Sequence, residues 1–455
     1  MKGATARDDY GLPQAPTDTP LLGKVGTPYA GRHRQVQYQG KGTLFASVIT
    51  LANSAIGAGV LTFPYAFESA GLVLAIILCL CLALLMGFTL HVIAQSTEAA
   101  QKKDSRVRSY QDVVKLAWGE RVSTAVEVAL VLYLFGGCIA FLIIIGDMCQ
   151  PLMPDQGIAS HRSFIITLIA VSVITPLCQL RRISALRFSS ALAVLAVTYM
   201  VCMIVGEEPS KHNGAMDVEY FKGGAGFFIS IPLMCLSLQC HIPCALIYTE
   251  LRPDLRTIKT MDCVIAAAYA ICLLLYVPAG TFGYLTFGNE TTSDVLLVKH
   301  AEGGQTIGYD VSDHFAVIAR ICITLTATCA FPIVHFPAKS ALYDFFARFG
   351  LVEEQSKTAK ANIPRRFLVI EGVVWVLLTL AIALCPVNLG VVNDIVASTC
   401  GSLVIFIFPA LMWWKFGPDT AATKLQIGLL LVVGTGIFFC GTIVTILSVV
   451  NGTSD

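Results

Sequence analysis

The chain has 455 residues, of which 55% are hydrophobic and only 13% are charged. Water-soluble domains carry about 25% charged residues, so most of this chain is expected to lie in lipid. The net charge of +1 gives no reason to expect a nucleic-acid partner. The sixteen cysteines lie almost entirely in apolar segments and show no zinc-binding spacing. They are therefore predicted to be buried apolar residues instead of disulfides or metal ligands.

Residues 1–42 form a polar stretch without the apolar segment of a secretory signal, which predicts a disordered cytosolic tail. A membrane-spanning helix needs about 20 mostly apolar residues. We therefore predict an all-α integral membrane protein with eleven transmembrane helices, ten in a core over 43–413 and an extra helix 11 with a short outer C-terminus over 414–455. The predicted spans are 43–67, 71–96, 122–147, 162–179, 186–205, 223–249, 261–285, 313–339, 366–385, 391–413 and 425–449.

Lysine and arginine concentrate in alternate loops, for example at Lys102, Lys103 and Arg106 between spans 2 and 3. Positive charge in short loops marks the cytosolic side. The pattern therefore predicts a cytosolic N-terminus and, with eleven spans, a C-terminus on the outer side. The glycosylation triplets that begin at Asn289 and Asn451 also fall on that predicted outer side, although such triplets are common by chance.

Span 1 is interrupted at its middle by Gly57-Ala58-Gly59, with Asn53 one turn earlier and Pro64 after it. The bilayer offers no partners to an unwound backbone, so a break is tolerated only where the freed groups face protein, water or a ligand. Close packing of small residues between two helices is the alternative interpretation.

Span 6 contains a second interruption, Gln239-Cys240-His241-Ile242-Pro243. Interrupted segments at corresponding positions of two halves indicate the binding site of a transporter. Breaks in spans 1 and 6 lie five spans apart. They predict two inverted five-span repeats plus one additional helix.

The ends of the half-helices determine what such a break can bind. The outer half of span 1 begins at mid-membrane with free N–H groups, which suit a carboxylate. The inner half ends there with free carbonyl oxygens, which suit Na⁺. Asn53 adds an amide oxygen, or else makes an interhelical hydrogen bond. His241 is either a neutral histidine satisfied by a neighbour, a contact to the substrate side chain, or a proton-titrating group.

Span 8 carries hydroxyl groups at Thr324 and Thr328, which are four residues apart and share one helix face. They are candidate Na⁺ ligands together with Asn53, if that face meets the inner half of span 1. The alternative is that each hydroxyl bonds to a carbonyl of its own helix. Arg320 on the same span must pair or reach water, and Asp147 and Asp394 are candidate partners.

No sequence motif indicates an enzyme, because there is no phosphate-binding loop, no His-Glu-x-x-His and no pair of carboxylates in a plausible cleft. The sequence shows no nucleotide-binding site, which argues against a pump driven by ATP. We predict no cofactor beyond a coupling ion, so the energy for transport would come from an ion gradient.

Several motifs in the order of the chain resemble the amino acid/auxin permease family, and within it the sodium-coupled neutral amino acid transporters of the lysosomal type. The similarity extends over about 43–449. It rests on Asn53 to Leu61 with Phe63-Pro64, Cys138 to Asp147, Gln239-Cys240-His241, Gly283 to Gly288, Asp294-Val295-Leu296 and Phe406 to Pro409.

This resemblance implies the leucine-transporter-like fold, with substrate and cation held at the breaks of helices 1 and 6. It implies that Asn53 serves the cation, together with a hydroxyl on span 8. It also implies that Ala55, Ile56, Gly57, Ala58 and Gly59 serve the backbone of the amino acid, and we add Gln239 and His241 to the predicted substrate site. Sodium-coupled relatives often carry a hydroxyl two residues before the span-8 proline. This chain has Ala330 there.

The predicted function is secondary active symport of neutral amino acids such as glutamine, asparagine or alanine, by alternating access in a monomeric unit within the lipid bilayer. Na⁺ is favoured over H⁺ as the coupling ion, and proton coupling stays open. A further alternative is an amino-acid sensor that signals through a cytosolic partner bound to the N-terminal tail. The plasma membrane and the lysosomal membrane both remain open, because Asp18-Thr19-Pro20-Leu21-Leu22 resembles a sorting signal.

Overall fold

The computed structural model describes residues 40–57, 59–153, 161–180, 189–211, 217–297, 299–300, 306–307, 309, 313–348, 350, 364–386 and 388–451. The predicted tail over 1–39 therefore lies outside the described residues, as does Ala58. The described part of the chain is almost entirely helical, as predicted.

The first half of the chain contributes ten α-helices. They are α1 Leu44–Ala55, α2 Gly59–Ala70, α3 Leu72–Lys103, α4 Tyr110–Trp118, α5 Glu120–Cys149, α6 Arg162–Ile169, α7 Thr175–Cys178, α8 Ser189–Lys211, α9 Ala225–Ser237 and α10 His241–Glu250. A π-helical turn over Ala170–Ile174 joins α6 to α7, and a 3₁₀ turn over Gln150–Leu152 follows α5.

The second half contributes seven α-helices and one short hairpin. The helices are α11 Ile258–Phe287, α12 His314–Arg348, α13 Arg365–Ala383, α14 Leu389–Val396, α15 Phe408–Phe416, α16 Ala421–Gly436 and α17 Thr442–Val450. π-Helical turns over Ala397–Gly401, Leu403–Ile407 and Ile437–Gly441 join the last four, and a 3₁₀ turn over Gly288–Glu290 follows α11. Strands β1 Lys299–His300 and β2 Thr306–Ile307 pair antiparallel, with Lys299 opposite Ile307.

Eight helical segments of the described residues are long and apolar enough to cross a membrane, and a bent pair, α1 with α2, makes a ninth. Two shorter apolar segments, Arg162–Cys178 and Ala191–Glu207, coincide with predicted spans 4 and 5. The surfaces of these helices carry large exposed apolar side chains, such as Leu84, Leu195 and Leu425. This apolar exterior is what a helix bundle presents to lipid.

Both predicted interruptions are present in the structure. Helix α1 ends at Ala55, α2 begins at Gly59, and the two axes differ by 61°. Pro64 lies inside α2, so the break is set by the glycine-containing segment and not by the proline. Helix α9 ends at Ser237, and α10 begins at His241 after three non-helical residues.

The helices that carry the two breaks lie next to each other. Helix α2 packs mainly against α9 and α11, whereas α1 packs against α11 and α10. Helix α12 packs mainly against α5 and α8. At the far end from the breaks, Gly42 forms a parallel bridge with Leu251. The N–H of Gly42 donates to the carbonyl of Glu250 at 2.8 Å, and the N–H of Arg252 donates to the carbonyl of Gly42 at 3.0 Å. The start of the first broken helix is thus tied to the end of the second.

Candidate functional site

The first break is held by a tyrosine from a neighbouring helix. The hydroxyl of Tyr276, on α11, donates to the carbonyl of Ala55 at 2.8 Å and accepts from the N–H of Gly57 at 3.3 Å. Tyr276 is fully buried and stacks on Phe63 of α2, with ring centroids 5.0 Å apart. One hydroxyl therefore satisfies a donor and an acceptor that the missing helical turn leaves free, as backbone groups buried in lipid require.

The two breaks are in direct contact. The hydroxyl of Ser237, the last residue of α9, donates to the carbonyl of Gly59 at 3.1 Å, and it also lies 2.9 Å from the carbonyl of Leu233. A Cβ atom on Gly59 would lie 2.6 Å from Ser237 Oγ and 2.9 Å from Ser237 Cα. Only glycine allows this close approach of the two backbones.

Gln239 presents an amide within the second break. Its Oε1 accepts a hydrogen bond from the hydroxyl of Tyr133 on α5 at 3.2 Å. Its Nε2 is buried and has no hydrogen-bond partner among the described residues. A buried donor without a partner is costly, so this nitrogen is suited to a ligand oxygen.

His241 is fully buried and turns toward α3. Its Nε2 lies 2.7 Å from the hydroxyl of Thr89, which itself donates to the carbonyl of Met86. The hydroxyl therefore accepts from His241 Nε2–H, which places the bare lone pair on Nδ1. Nδ1 has no hydrogen-bond partner in the described part of the chain. Contact with a substrate stays a prediction for His241.

The three predicted Na⁺ ligands have different environments. Asn53 Oδ1 is buried without a hydrogen-bond partner among the described residues, one turn before the first break. The hydroxyls of Thr324 and Thr328 each donate to a carbonyl one turn earlier, at 2.8 Å. A hydroxyl that donates in this way keeps lone pairs for a cation. Because α12 packs mainly against α5 and α8, a cation site shared with Asn53 stays a prediction.

A charged cluster lies beside the loop that follows α11. Arg320 is completely buried, and its guanidinium donates to the carbonyls of Leu296 and Tyr309 at 3.0 and 2.5 Å. Asp147, a candidate partner of Arg320, instead accepts from Arg162 at 2.6 Å. In the loop itself, burial is the main cause that raises the pKa of Asp294 to about 8, and the nearby Asp147 raises it further.

The same loop contacts α2, the second half of the first broken helix. The N–H of Val295 donates to the carbonyl of Leu61 on α2 at 3.1 Å. A Cβ atom on Gly283 would lie 2.6 Å from Pro64 and 3.5 Å from Val295. The loop over 291–296 is buried throughout and connects α2 to the charged cluster.

Several residues at the breaks were not identified from the sequence. Tyr276, Tyr133 and Thr89 come from α11, α5 and α3, which are long and predominantly apolar helices. Such residues stand out only by their polarity within a span, since the sequence does not reveal the rotation of a helix about its axis. The contact of Ser237 with Gly59 was not predicted either.

The fold and the site define a class: a polytopic helical membrane protein in which two interrupted helices meet within the bundle. Residues 40–452 match the family described as "Transmembrane amino acid transporter protein", and the chain belongs to this family. The family membership inferred from the motifs is thereby confirmed. The chain is an amino acid transporter by family and not an enzyme, as predicted.

Known proteins with similar sequences align with this chain over most of their length. The chain is 31% identical over 387 residues to "Sodium-coupled neutral amino acid transporter 7" of Mus musculus, which covers 82% of this chain and 79% of that protein. It is 29% identical over 380 residues to "Solute carrier family 38 member 8" of Homo sapiens, covering 80% and 83%. It is 26% identical over 405 residues to "Amino acid transporter AVT6E" of Arabidopsis thaliana, covering 85% and 79%.

Proposed function

We propose that the chain is a secondary active symporter that carries a neutral amino acid together with Na⁺ through the site formed by the two breaks. The observation that carries this proposal is the contact between Gly59 and Ser237, which brings the start of α2 and the end of α9 together inside the bundle. Relatives named as sodium-coupled neutral amino acid transporters support the choice of substrate and ion.

The architecture in this proposal has eleven spans. The bent pair α1 with α2 and the eight long segments give nine, and the two shorter apolar segments bring the total to eleven. Two inverted five-span repeats would then place the broken helices first and sixth, with α16 and α17 as the additional span. The positive-inside pattern would place residue 40 on the cytosolic side.

The zwitterion would bind through groups that the breaks leave available. The N-terminal end of α2, which begins at Gly59, would receive the carboxylate through backbone N–H groups and the helix dipole. Gln239 Nε2 would donate to the substrate, because it is buried without a partner in the described residues. The Ala55–Gly59 segment would line the pocket. No unpaired charge is needed to bind a molecule that is itself neutral overall.

The cation would bind at the C-terminal end of α1. Asn53 Oδ1 is a hard oxygen ligand without a partner among the described residues, and Thr324 and Thr328 offer hydroxyl oxygens of the kind that Na⁺ prefers. Joining these three around one ion would require α12 to approach α1. Alternating access supplies a movement of that kind, and the bridge between Gly42 and Leu251 would make α1 and α10 move together.

The test is uptake of labelled glutamine or alanine by the purified full chain in proteoliposomes, with a Na⁺ gradient or with choline in place of Na⁺. We expect Na⁺-dependent uptake, and a higher Na⁺ concentration for half-maximal uptake in Asn53→Ala and Thr328→Ala. Thr326→Ala is the matched control, because Thr326 also donates to its own helix but lies off the Thr324–Thr328 face. Uptake that does not depend on Na⁺, or no uptake at all, would contradict the proposal.

A further inference from the structure

A cleft of about 400 Å³ opens where the residues before α1 meet the loop between α10 and α11. It is lined by Gly40, Lys41, Arg252, Pro253 and Asp254, and all of these except Gly40 are exposed. The cleft lies at the ends of α1 and α10 that face away from the two breaks. It is therefore separate from the proposed substrate and cation sites.

Backbone contacts hold both walls of the cleft in place. A Cβ atom on Gly42 would lie 2.8 Å from the carbonyl oxygen of Glu250, so the residues before α1 lie directly against the end of α10. On the other wall, the carbonyl of Arg252 accepts from the N–H of Leu255 at 2.9 Å and closes a turn. The parallel bridge between Gly42 and Leu251 joins the two walls. Since the walls are fixed to each other, the cleft is formed before a ligand arrives.

Positive charge exceeds negative charge among the residues that line the cleft. Lys41 and Arg252 are the cations, of the kind that bind phosphate, and Asp254 is the acid. Arg252 Nη2 lies 2.8 Å from Asp254 Oδ2, but the two side chains are 50% and 62% exposed. An exposed pair of this kind contributes little, so a ligand with several negative charges can compete for the guanidinium. The surrounding loop carries charges of both signs, at Glu250, Arg256 and Lys259.

Apolar side chains directly after the cleft indicate that it lies at the edge of the membrane. Helix α1 begins at Leu44, and Phe45 and Ile49 lie one turn apart on it with 74% and 43% of their surface exposed. Such a face is expected to contact acyl chains. The positive-inside pattern predicts that this end of α1 is cytosolic, and the cytosolic leaflet is the one that carries anionic lipids. We therefore expect the cleft to lie at the level of their headgroups.

We propose that the cleft binds the headgroup of a phosphoinositide, with Lys41 and Arg252 contacting its phosphates and its acyl chains lying along Phe45 and Ile49. A headgroup with several phosphates fits better than one with a single phosphate, because a single phosphate would leave much of the cleft and one of its two cations unused. The bound lipid would span the same two segments that the backbone bridge joins. Its binding does not depend on the proposed transport function.

The test is titration of short-chain phosphatidylinositol bisphosphate into the purified full chain in detergent, with binding followed by microscale thermophoresis. We expect saturable binding at one site. Lys41→Ala and Arg252→Ala should each raise the Kd about five-fold, which is the contribution of one cation near a lipid surface. Asp254→Asn should lower the Kd, because it releases the guanidinium from its partner. A misfolded variant would not bind more tightly, so this substitution keeps the test independent of folding.

Arg106→Ala is the matched control for the titration. Arg106 Nη2 also lies 2.8 Å from a carboxylate oxygen, Asp104 Oδ2, in a predicted cytosolic loop, and this pair does not line the cleft. The Kd should stay at the wild-type value in this variant. No saturable binding, an equal loss in Arg106→Ala and Arg252→Ala, or equal binding of phosphatidylserine would overturn the proposal. Soluble inositol trisphosphate that binds as tightly as the lipid would also overturn it, because the apolar face of α1 would then contribute nothing.

Hydrogen exchange with and without the lipid locates the site. The N–H of Gly42 donates to Glu250 and the N–H of Arg252 donates to Gly42, so a lipid that spans both segments should slow exchange in peptides over 40–44 and 250–256. Exchange over 104–108, around the control pair, should not change. Lipid binding that leaves exchange around the cleft unchanged would overturn the proposed location. If the chain does not transport, the proposed function fails, and these binding measurements still decide whether the lipid site exists.

Discussion

At the scale of single residues, the break in the first span depends on a hydroxyl supplied by another helix. Tyr276 bonds to Ala55 and Gly57, so it fixes both backbone groups at the point where the helix stops. The hydrogen bond to Ala55 is buried and the one to Gly57 is partly buried, so losing either partner is costly. The shape of the proposed substrate pocket therefore depends on a side chain that need not touch the substrate.

We expect Tyr276→Phe to destabilise the protein by about 1–3 kcal/mol, because it leaves a buried acceptor and a partly buried donor unsatisfied. The KM for the amino acid should rise, since the break loses its fixed geometry. Thermal unfolding and uptake kinetics measure the two effects. Tyr199→Phe is the control, because it removes a hydroxyl that bonds to one carbonyl at a more exposed position. Equal stability of Tyr276→Phe and the wild type would contradict this account.

Asp294 provides a prediction about pH at the same scale. Its pKa is raised to about 8 in the folded state, mainly by burial, against about 3.9 in an unfolded chain. A raised pKa means that the folded state holds the proton more tightly. The resulting stability is fully present below about pH 4 and is lost as the pH rises through about 8.

The neutral variant Asp294→Asn should therefore gain stability relative to the wild type as the pH rises from about 5 to about 9. The measurement is the difference in Tm between the two proteins at each pH. Asp254→Asn serves as the control, since this exposed carboxylate forms a surface pair with Arg252 that contributes little. A difference in Tm that does not change with pH would show that Asp294 does not titrate in this way.

Some residues at the breaks can be identified from the sequence by their residue type, whereas others depend on which way their helix faces. Gly57, Gly59 and Asn53 were identifiable because two glycines separated by one residue follow an asparagine by about one turn in the middle of an apolar span. Tyr276 and Tyr133 were not, because their role depends on which way their helices face. Helix rotation is decided by packing among many spans and leaves little trace in an all-round apolar segment.

At the scale of the helices, the close approach of α2 and α9 is the feature that only glycine permits. Gly59→Ala would place a Cβ atom 2.6 Å from Ser237 Oγ and 2.9 Å from its Cα, so one of the broken helices must shift. We expect uptake to be strongly reduced and the protein to be less stable. Initial rates of uptake, normalised to the amount of folded protein, measure the effect.

Gly428→Ala is the matched control for that substitution. It changes a glycine within α16 whose Cβ atom would meet no atom within 4 Å, so both folding and uptake should be retained. Wild-type uptake by Gly59→Ala would show that the two breaks do not depend on this contact.

The sequence predicted the positions of the helices better than it predicted their internal geometry. Apolar runs predicted α3, α5 and α11 well, because length and hydrophobicity suffice to identify a span. Helix α4 lies before span 3, and Ser109 and Asp112 form its capping box. The π-helical turns between α14 and α15 were not predicted, since hydropathy does not distinguish one helical winding from another.

At the scale of the whole molecule, the described residues place the two interrupted helices side by side and tie them at two levels. Ser237 joins α9 to the start of α2, and the bridge between Gly42 and Leu251 joins the beginning of α1 to the end of α10. These links favour movement of the four half-helices as one unit against the pair formed by α5 and α12. Such a division is what alternating access requires.

The most direct test of the central claim is a cryo-electron-microscopy map of the full chain in nanodiscs with saturating Na⁺ and a neutral amino acid such as glutamine. We predict ligand density between the Ala55–Gly59 break and Gln239, with the carboxylate at the start of α2 and the two breaks in contact. Ligand density elsewhere in the bundle, or a continuous helix through either break, would contradict the account.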